Sequence, residues 1–125
     1  MGQKYLIDTN SLIDAQMKRI PEKGLQFLAG VINEDFTVSF ITYIEFLGYK
    51  DVSKASEEFI SLASVIEIDK PIMDACVSLR KTHKIKLPDA IIAATALVYD
   101  LVLISRNIFD FKNIDGLQVI DPHSL

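Results

Sequence analysis

Cysteine is nearly absent from this chain. Cys76 is the only one, so no internal disulfide can form and a reducing cytoplasm is the expected compartment. Its place in an apolar helical stripe reads as a small core residue. Histidine is equally scarce: His83 and His123 are the pair, and neither has metal-ligand spacing. Long apolar runs are missing too. The longest, Ala90 to Ile104, is broken by Asp100 and is too short to cross a bilayer, which argues against a membrane role. The charged opening is followed only by the short run Tyr5 to Ile7, unlike a signal peptide, and Gly2 lacks the downstream Ser or Thr of a myristoylation signal. No repeat, low-complexity tract or linker interrupts the 125 residues. With 50% of them apolar and 24% charged, residues 1–125 are expected to form one domain around a single core.

Positive charge is also in deficit. A formal net charge of −4 argues against general affinity for nucleic acid, unless several acids are gathered around one cation and leave the remaining surface closer to neutral. Basic residues do cluster at Arg80, Lys81, Lys84 and Lys86, with His83 among them, directly before Pro88-Asp89. That cluster reads either as a phosphate-guiding rim or as a solvated helix end.

Strand-like apolar runs alternate with helical periodicity. Strands are expected over Lys4 to Asp8, Val38 to Ile41, Val65 to Ile68, Leu101 to Ile104 and Leu117 to Ile120. Helices are expected after the caps Thr9, Asn10 and Ser11, after Pro21, from Thr42 to about Tyr49, after Ser53, after Pro71 and after Pro88, with a single turn over Asn107 to Phe111. The helix after Ser53 should turn Ala55, Phe59, Leu62 and Ala63 inward. The helix after Pro88 is apolar on nearly every side and should lie in the interior. This alternation predicts an α/β fold with a doubly wound, mainly parallel sheet, whose ligands sit beyond the carboxyl ends of its strands.

Four segments place an acid or amide where an apolar run meets or enters a helix. They are Tyr5 to Asn10 around Asp8, Thr42 to Phe46 around Glu45, Leu87 to Ala90 around Asp89, and Ser105 to Asn107 followed by Asp110-Phe111. Each has a purely structural reading. Asp8 can cap the next helix, Asp89 can answer a helix dipole, Glu45 can point outward from one turn, and Asn107 and Asp110 can fill a turn. Thr9, Asn10 and Ser105 serve equally as caps or as donors that position a water or phosphate. Together they say more: acids in apolar surroundings are costly unless compensated, and carboxylates without histidine or cysteine partners make hard-oxygen sites suited to Mg²⁺ or Mn²⁺ and to phosphodiester chemistry.

Ile7-Asp8-Thr9-Asn10 and Leu87-Pro88-Asp89-Ala90 with the run Ile91 to Ala96, in this order and spacing, resemble a PIN domain, in particular the small VapC-like toxins of toxin–antitoxin pairs. The resemblance runs from Tyr5 to about Ile120. It implies a five-stranded PIN-like sheet of order 3-2-1-4-5 and a metal-dependent endoribonuclease whose acidic quartet binds Mg²⁺ or Mn²⁺. The family's first three acids fall on Asp8, Glu45 and Asp89. Its fourth position falls on Asn107, an amide, with Asp110 one helical turn later. In that reading Asp8 and Asp89 are the main metal ligands, Glu45 completes the site or assists deprotonation of water, and Thr9, Asn10, Ser105 and Arg106 contact phosphate or orient the ligands. A cognate antitoxin covering the cleft and a homodimer are implied as well.

Three rivals share parts of this pattern. A signalling receiver domain needs adjacent acids after its first strand, where this chain has Thr9 and Asn10. A haloacid-dehalogenase-type phosphatase needs a second aspartate where Asn10 stands. A PIN-like module that binds RNA or a partner without cutting is kept open by Asn107.

Overall fold

A computed structural model describes residues 2–125. The chain runs β1 (Tyr5–Ile7), α1 (Thr9–Gln16), α2 (Glu22–Asp35), β2 (Thr37–Ser39), α3 (Phe40–Leu47), α4 (Lys54–Ile60), β3 (Ser64–Ile66), α5 (Lys70–Thr82), α6 (Leu87–Val98), β4 (Val102–Ile104), α7 (Ile108–Phe111) and β5 (Val119–Ile120), then a 3-10 turn at Pro122–Ser124. All strand pairs are parallel. They form two ladders, β1-β4-β5 and β2-β3. Both agree with the expected order as far as they extend. Among the described residues, however, no ladder joins β1 to β2, so one continuous five-stranded ladder is not formed. The two strands nonetheless lie side by side, and Ile7 and Val38 belong to one apolar cluster.

Successive strand residues point to opposite faces, and the sheet is therefore covered on both. Leu6 and Leu103 face α5, α6 and Phe111 of α7, whereas Ile7 and Ile104 face Leu12 of α1, Leu28 of α2, Phe46 of α3 and Ile60 of α4. Helix α6 is the interior helix anticipated from its composition: Ala90 to Ala96 are all buried. Its alanines let α5 approach closely, and the Thr95 hydroxyl is satisfied by the Ile91 carbonyl at 2.7 Å.

Two local expectations are corrected. Strand β2 ends at Ser39 and not Ile41, because the Ser39 hydroxyl accepts from Ile41 N at 3.1 Å and starts α3 two residues before Thr42. Helix α4 is capped by Ser53 as expected, and Phe59 and Ala63 pack on the core as expected, but its fully buried residues are Ser56 and Ile60, while Ala55 and Leu62 face outward. Leu62 lies beyond the helix end and is 77% exposed, while Ser56 is drawn in by its hydrogen bond to Gln16 Oε1 at 2.9 Å. The final 3-10 turn, absent from the sequence reading, packs on α2 where a glycine is required. A Cβ at Gly24 would stand 1.7 Å from the Pro122 carbonyl oxygen.

Candidate active site

The carboxyl ends of β1 and β4 lie side by side, and this adjacency builds the site. Asp8 N donates to Ile104 O at 2.9 Å and Ser105 N to Ile120 O at 3.0 Å, so the residues that follow both strands emerge together. Asp8 is only 4% exposed. Its Oδ1 accepts from Thr9 N at 2.8 Å, and its Oδ2 accepts from the Ser105 hydroxyl at 2.8 Å and from Asn10 Nδ2 at 3.3 Å. Asn10 Oδ1 in turn accepts from Arg106 N at 2.9 Å, and Ser105 Oγ accepts from Asn107 N at 3.0 Å. Asn10 and Ser105 thus staple the two loops beneath the Asp8 carboxylate.

Burial pushes the Asp8 carboxyl up to about 6; the Ser105 and Thr9 hydrogen bonds oppose the rise, and the negative charges of Asp89 and Glu45 add to it. Asp89, in the first turn of α6, is raised by burial and then by repulsion from Asp110 and Glu45, with Lys86 pulling the other way. Glu45 lies exposed on α3, and its Oε1 accepts from the Thr9 hydroxyl at 2.6 Å, which ties α3 to the start of α1.

Asp8, Glu45, Asp89 and Asn107 line one cleft of about 440 Å³, together with Thr9, Asn10, Arg19 and Arg106. Asp110 is not in it. It lines a neighbouring cleft of about 510 Å³ that shares Asp89 and Asn107. Asn107 thus shares a cleft with Asp8, Glu45 and Asp89, whereas Asp110 approaches the group from the Asp89 side. Ser105 is fully buried and acts through its hydrogen bonds.

One acid escaped the sequence reading. Asp14, on α1, is 2% exposed; its Oδ2 accepts from Arg106 Nη1 at 2.8 Å and lies 2.9 Å from His123 Nε2, and its Oδ1 is 3.6 Å from Arg19 Nη1. The other imidazole nitrogen lies 2.8 Å from Asp121 Oδ1. Asp14 thus anchors two arginines that line the same cleft as itself and the other acids. The available signal was an acid amid Leu12, Ile13 and Ala15, but Lys18 at the i+4 position offered a solvent-facing pairing. Lys18 instead adopts a positive φ of 56° just past the helix end.

The donor set fits a hard cation: it offers carboxylate, amide and hydroxyl oxygens only, and Asp8 is held in it against the cost of burial, to which its acidic neighbours add. As the side chains stand, no three acidic, histidine or cysteine residues among the described residues are gathered tightly enough to enclose an ion.

A parallel α/β fold with a buried acid at the carboxyl end of β1, Ser105 to Asn107 beside it after β4, and a further acid at the mouth of α6 defines a class of protein. The family model for the PIN domain matches residues 5–117, and the chain belongs to that family. Within it, the chain is similar to the toxin–antitoxin complex from Klebsiella pneumoniae, at 34% identity, a TM-score of 0.78, and coverage of 95% of this chain and 98% of that one. VapBC-1 from nontypeable Haemophilus influenzae matches at 26% identity and TM-score 0.77, covering 96% and 98%. FitAcB from Neisseria gonorrhoeae matches at 26% and 0.76, covering 97% and 99%. A comparison with curated proteins returned no match. The VapC-like resemblance read from the sequence is thereby upheld. Among the described residues, no helix is long and apolar enough to cross a membrane.

Proposed function

We propose that residues 1–125 act as a single-domain, metal-dependent endoribonuclease, the toxin of a toxin–antitoxin pair, working in the cytoplasm. The observation that carries this reading is the buried Asp8 carboxyl, raised to about 6 and sharing one cleft with Asp89, Glu45, Arg19 and Arg106. Asp8 and Asp89 would hold Mg²⁺ or Mn²⁺, with Glu45 and the Asn107 amide oxygen completing the oxygen set. A divalent cation there supplies activation of water and neutralises charge on the phosphate.

The chain's own residues do the rest. Thr9 holds one oxygen of Glu45 and leaves the other to take a proton from the attacking water. Arg106, anchored by Asp14, and Arg19 support the phosphate oxygens as negative charge grows. Ser105 and Asn10 keep Asp8 from rotating away. RNA is the proposed substrate. The solved neighbours are toxin–antitoxin complexes, which supports a cognate antitoxin, and the exposed apolar side chains Tyr43, Ile44 and Leu62 supply a surface for a protein partner. A homodimer is proposed on the same family grounds.

A second reading, a PIN module that holds RNA without cutting it, is favoured by one observation: an amide, Asn107, stands where the resemblance expects an acid. One assay separates the two. Purified protein should cleave single-stranded RNA with Mn²⁺ or Mg²⁺, and chelation, Asp8→Asn or Asp89→Asn should each stop it. Glu45→Gln should slow it by about 10²–10⁴-fold. Undiminished cleavage in both aspartate variants would remove the proposed chemistry, and no cleavage under any metal would favour the second reading.

A further inference from the structure

The neighbouring cleft carries features that cleavage does not use. Helix α7 sends Phe111 into the core and leaves Phe109 78% exposed, an unusual place for an aromatic ring. Lys112 Nζ lies over that ring, 4.2 Å from its centroid, yet is not among the residues lining the cleft, whereas Phe109 is. Lys84 and Lys86, from the basic cluster ahead of Pro88, also line it. Its walls are fastened together by His83, whose Nδ1 lies 2.9 Å from Thr82 Oγ1 and whose Nε2 lies 3.1 Å from the Asn113 carbonyl oxygen. The acids Asp89 and Asp110 mark the side nearest the active cleft, with which this one is continuous through Asp89 and Asn107.

We infer that Phe109, Lys84 and Lys86 form a second nucleotide subsite, in which an unpaired base of single-stranded RNA stacks on the Phe109 ring while the lysines meet its phosphate. The inference rests on the nuclease reading for the identity of the strand. Stacking on an aromatic face is tolerant of sequence and requires an unpaired base; lysines contribute charge without base readout. Lys112 over the ring strengthens such a platform by a cation–π contact, and the 78% exposure of Phe109 leaves room for a base. The arrangement therefore selects for single-stranded substrate next to the scissile bond.

The test is a binding titration with a short, cleavage-resistant 2′-O-methyl oligoribonucleotide, single-stranded or annealed to its complement. The single strand should bind more tightly than the duplex, and Phe109→Ala should weaken single-strand binding by about 5- to 100-fold. Phe109→Trp should preserve it. Because the chain contains no tryptophan, the introduced indole is a unique fluorophore, and its emission should be quenched when a base stacks on it. Lys84→Gln and Lys86→Gln should each lower the slope of log affinity against log salt by about 0.7. Unchanged affinity in Phe109→Ala, or an unquenched indole in the bound complex, would overturn the subsite. So would a change in sedimentation of Phe109→Ala with RNA binding intact, which would assign the ring to a protein interface. Cleavage by the native chain with binding indifferent to Phe109 would sink the subsite alone. Phe109-dependent binding without cleavage under any metal would sink the nuclease reading alone.

Discussion

A carboxyl group buried at the end of a strand makes stability depend on pH in a direction opposite to that of an ordinary ion-paired acid. The folded Asp8 holds its proton up to about 6 against an ordinary value of 3.8, so its contribution is most favourable below about pH 4 and is lost as pH rises through 6. The full loss is about 3 kcal/mol. Metal-free protein should therefore show this part of its melting temperature falling between those limits in a pH series. Ser105→Ala removes the hydrogen bond that opposes the rise, and should move the midpoint to higher pH while costing about 1–2 kcal/mol in urea denaturation. Asp89→Asn relieves repulsion without breaking a hydrogen bond to its side chain, and should raise the metal-free melting temperature by roughly a few degrees. A clear drop would count against a shared acidic cluster. Asp8 and Asp89 were legible in the sequence because each stands where an apolar run meets a helix start, and Glu45 because it is an acid inside the apolar run Ile41 to Leu47. Asp14 and His123 were not, because the contact joining them spans 109 residues of sequence and leaves no local pattern.

At the scale of elements, α2 contains its own control. Gly24 and Gly30 lie in the same helix, yet a Cβ at Gly24 would collide with the Pro122 carbonyl while one at Gly30 would meet nothing within 4 Å. Gly30→Ala should stabilise the protein by about 0.5–1 kcal/mol through helix propensity. Gly24→Ala should instead destabilise it by about 1–3 kcal/mol and displace the last turn, which carries His123 onto Asp14. Chemical denaturation of the two variants checks both signs, and stabilisation by both would mean that the turn does not dock as described. Capping chemistry explains which boundaries could be read in advance. Ser53 and Pro88 mark helix starts by residue type alone, whereas the early start of α3 depends on a buried Ser39 whose neighbours Val38, Phe40 and Ile41 look like strand. The seating of the last turn on α2 is a close approach of backbones, to which side-chain periodicity is blind.

The whole molecule is a pair of parallel ladders sealed by helices on both faces, with Asp8 at the end of β1 and Glu45 and Asp89 reaching the same cleft from α3 and α6. The general architecture was legible because alternating strands and helices admit few arrangements and the connections between parallel strands have one preferred hand. The break between the β1-β4-β5 and β2-β3 ladders was not, since three-residue strands can pack through side chains without completing their hydrogen bonds. The proposed function makes metal binding and folding one equilibrium: an ion that binds only the folded cleft would stabilise it by about 2.7 kcal/mol at a hundredfold excess over its dissociation constant. A calorimetric titration with Mn²⁺ tests that claim most directly. The native chain should bind the ion near neutral pH and lose it in Asp8→Asn and in Asp89→Asn, whereas equal affinity in all three proteins would contradict the account.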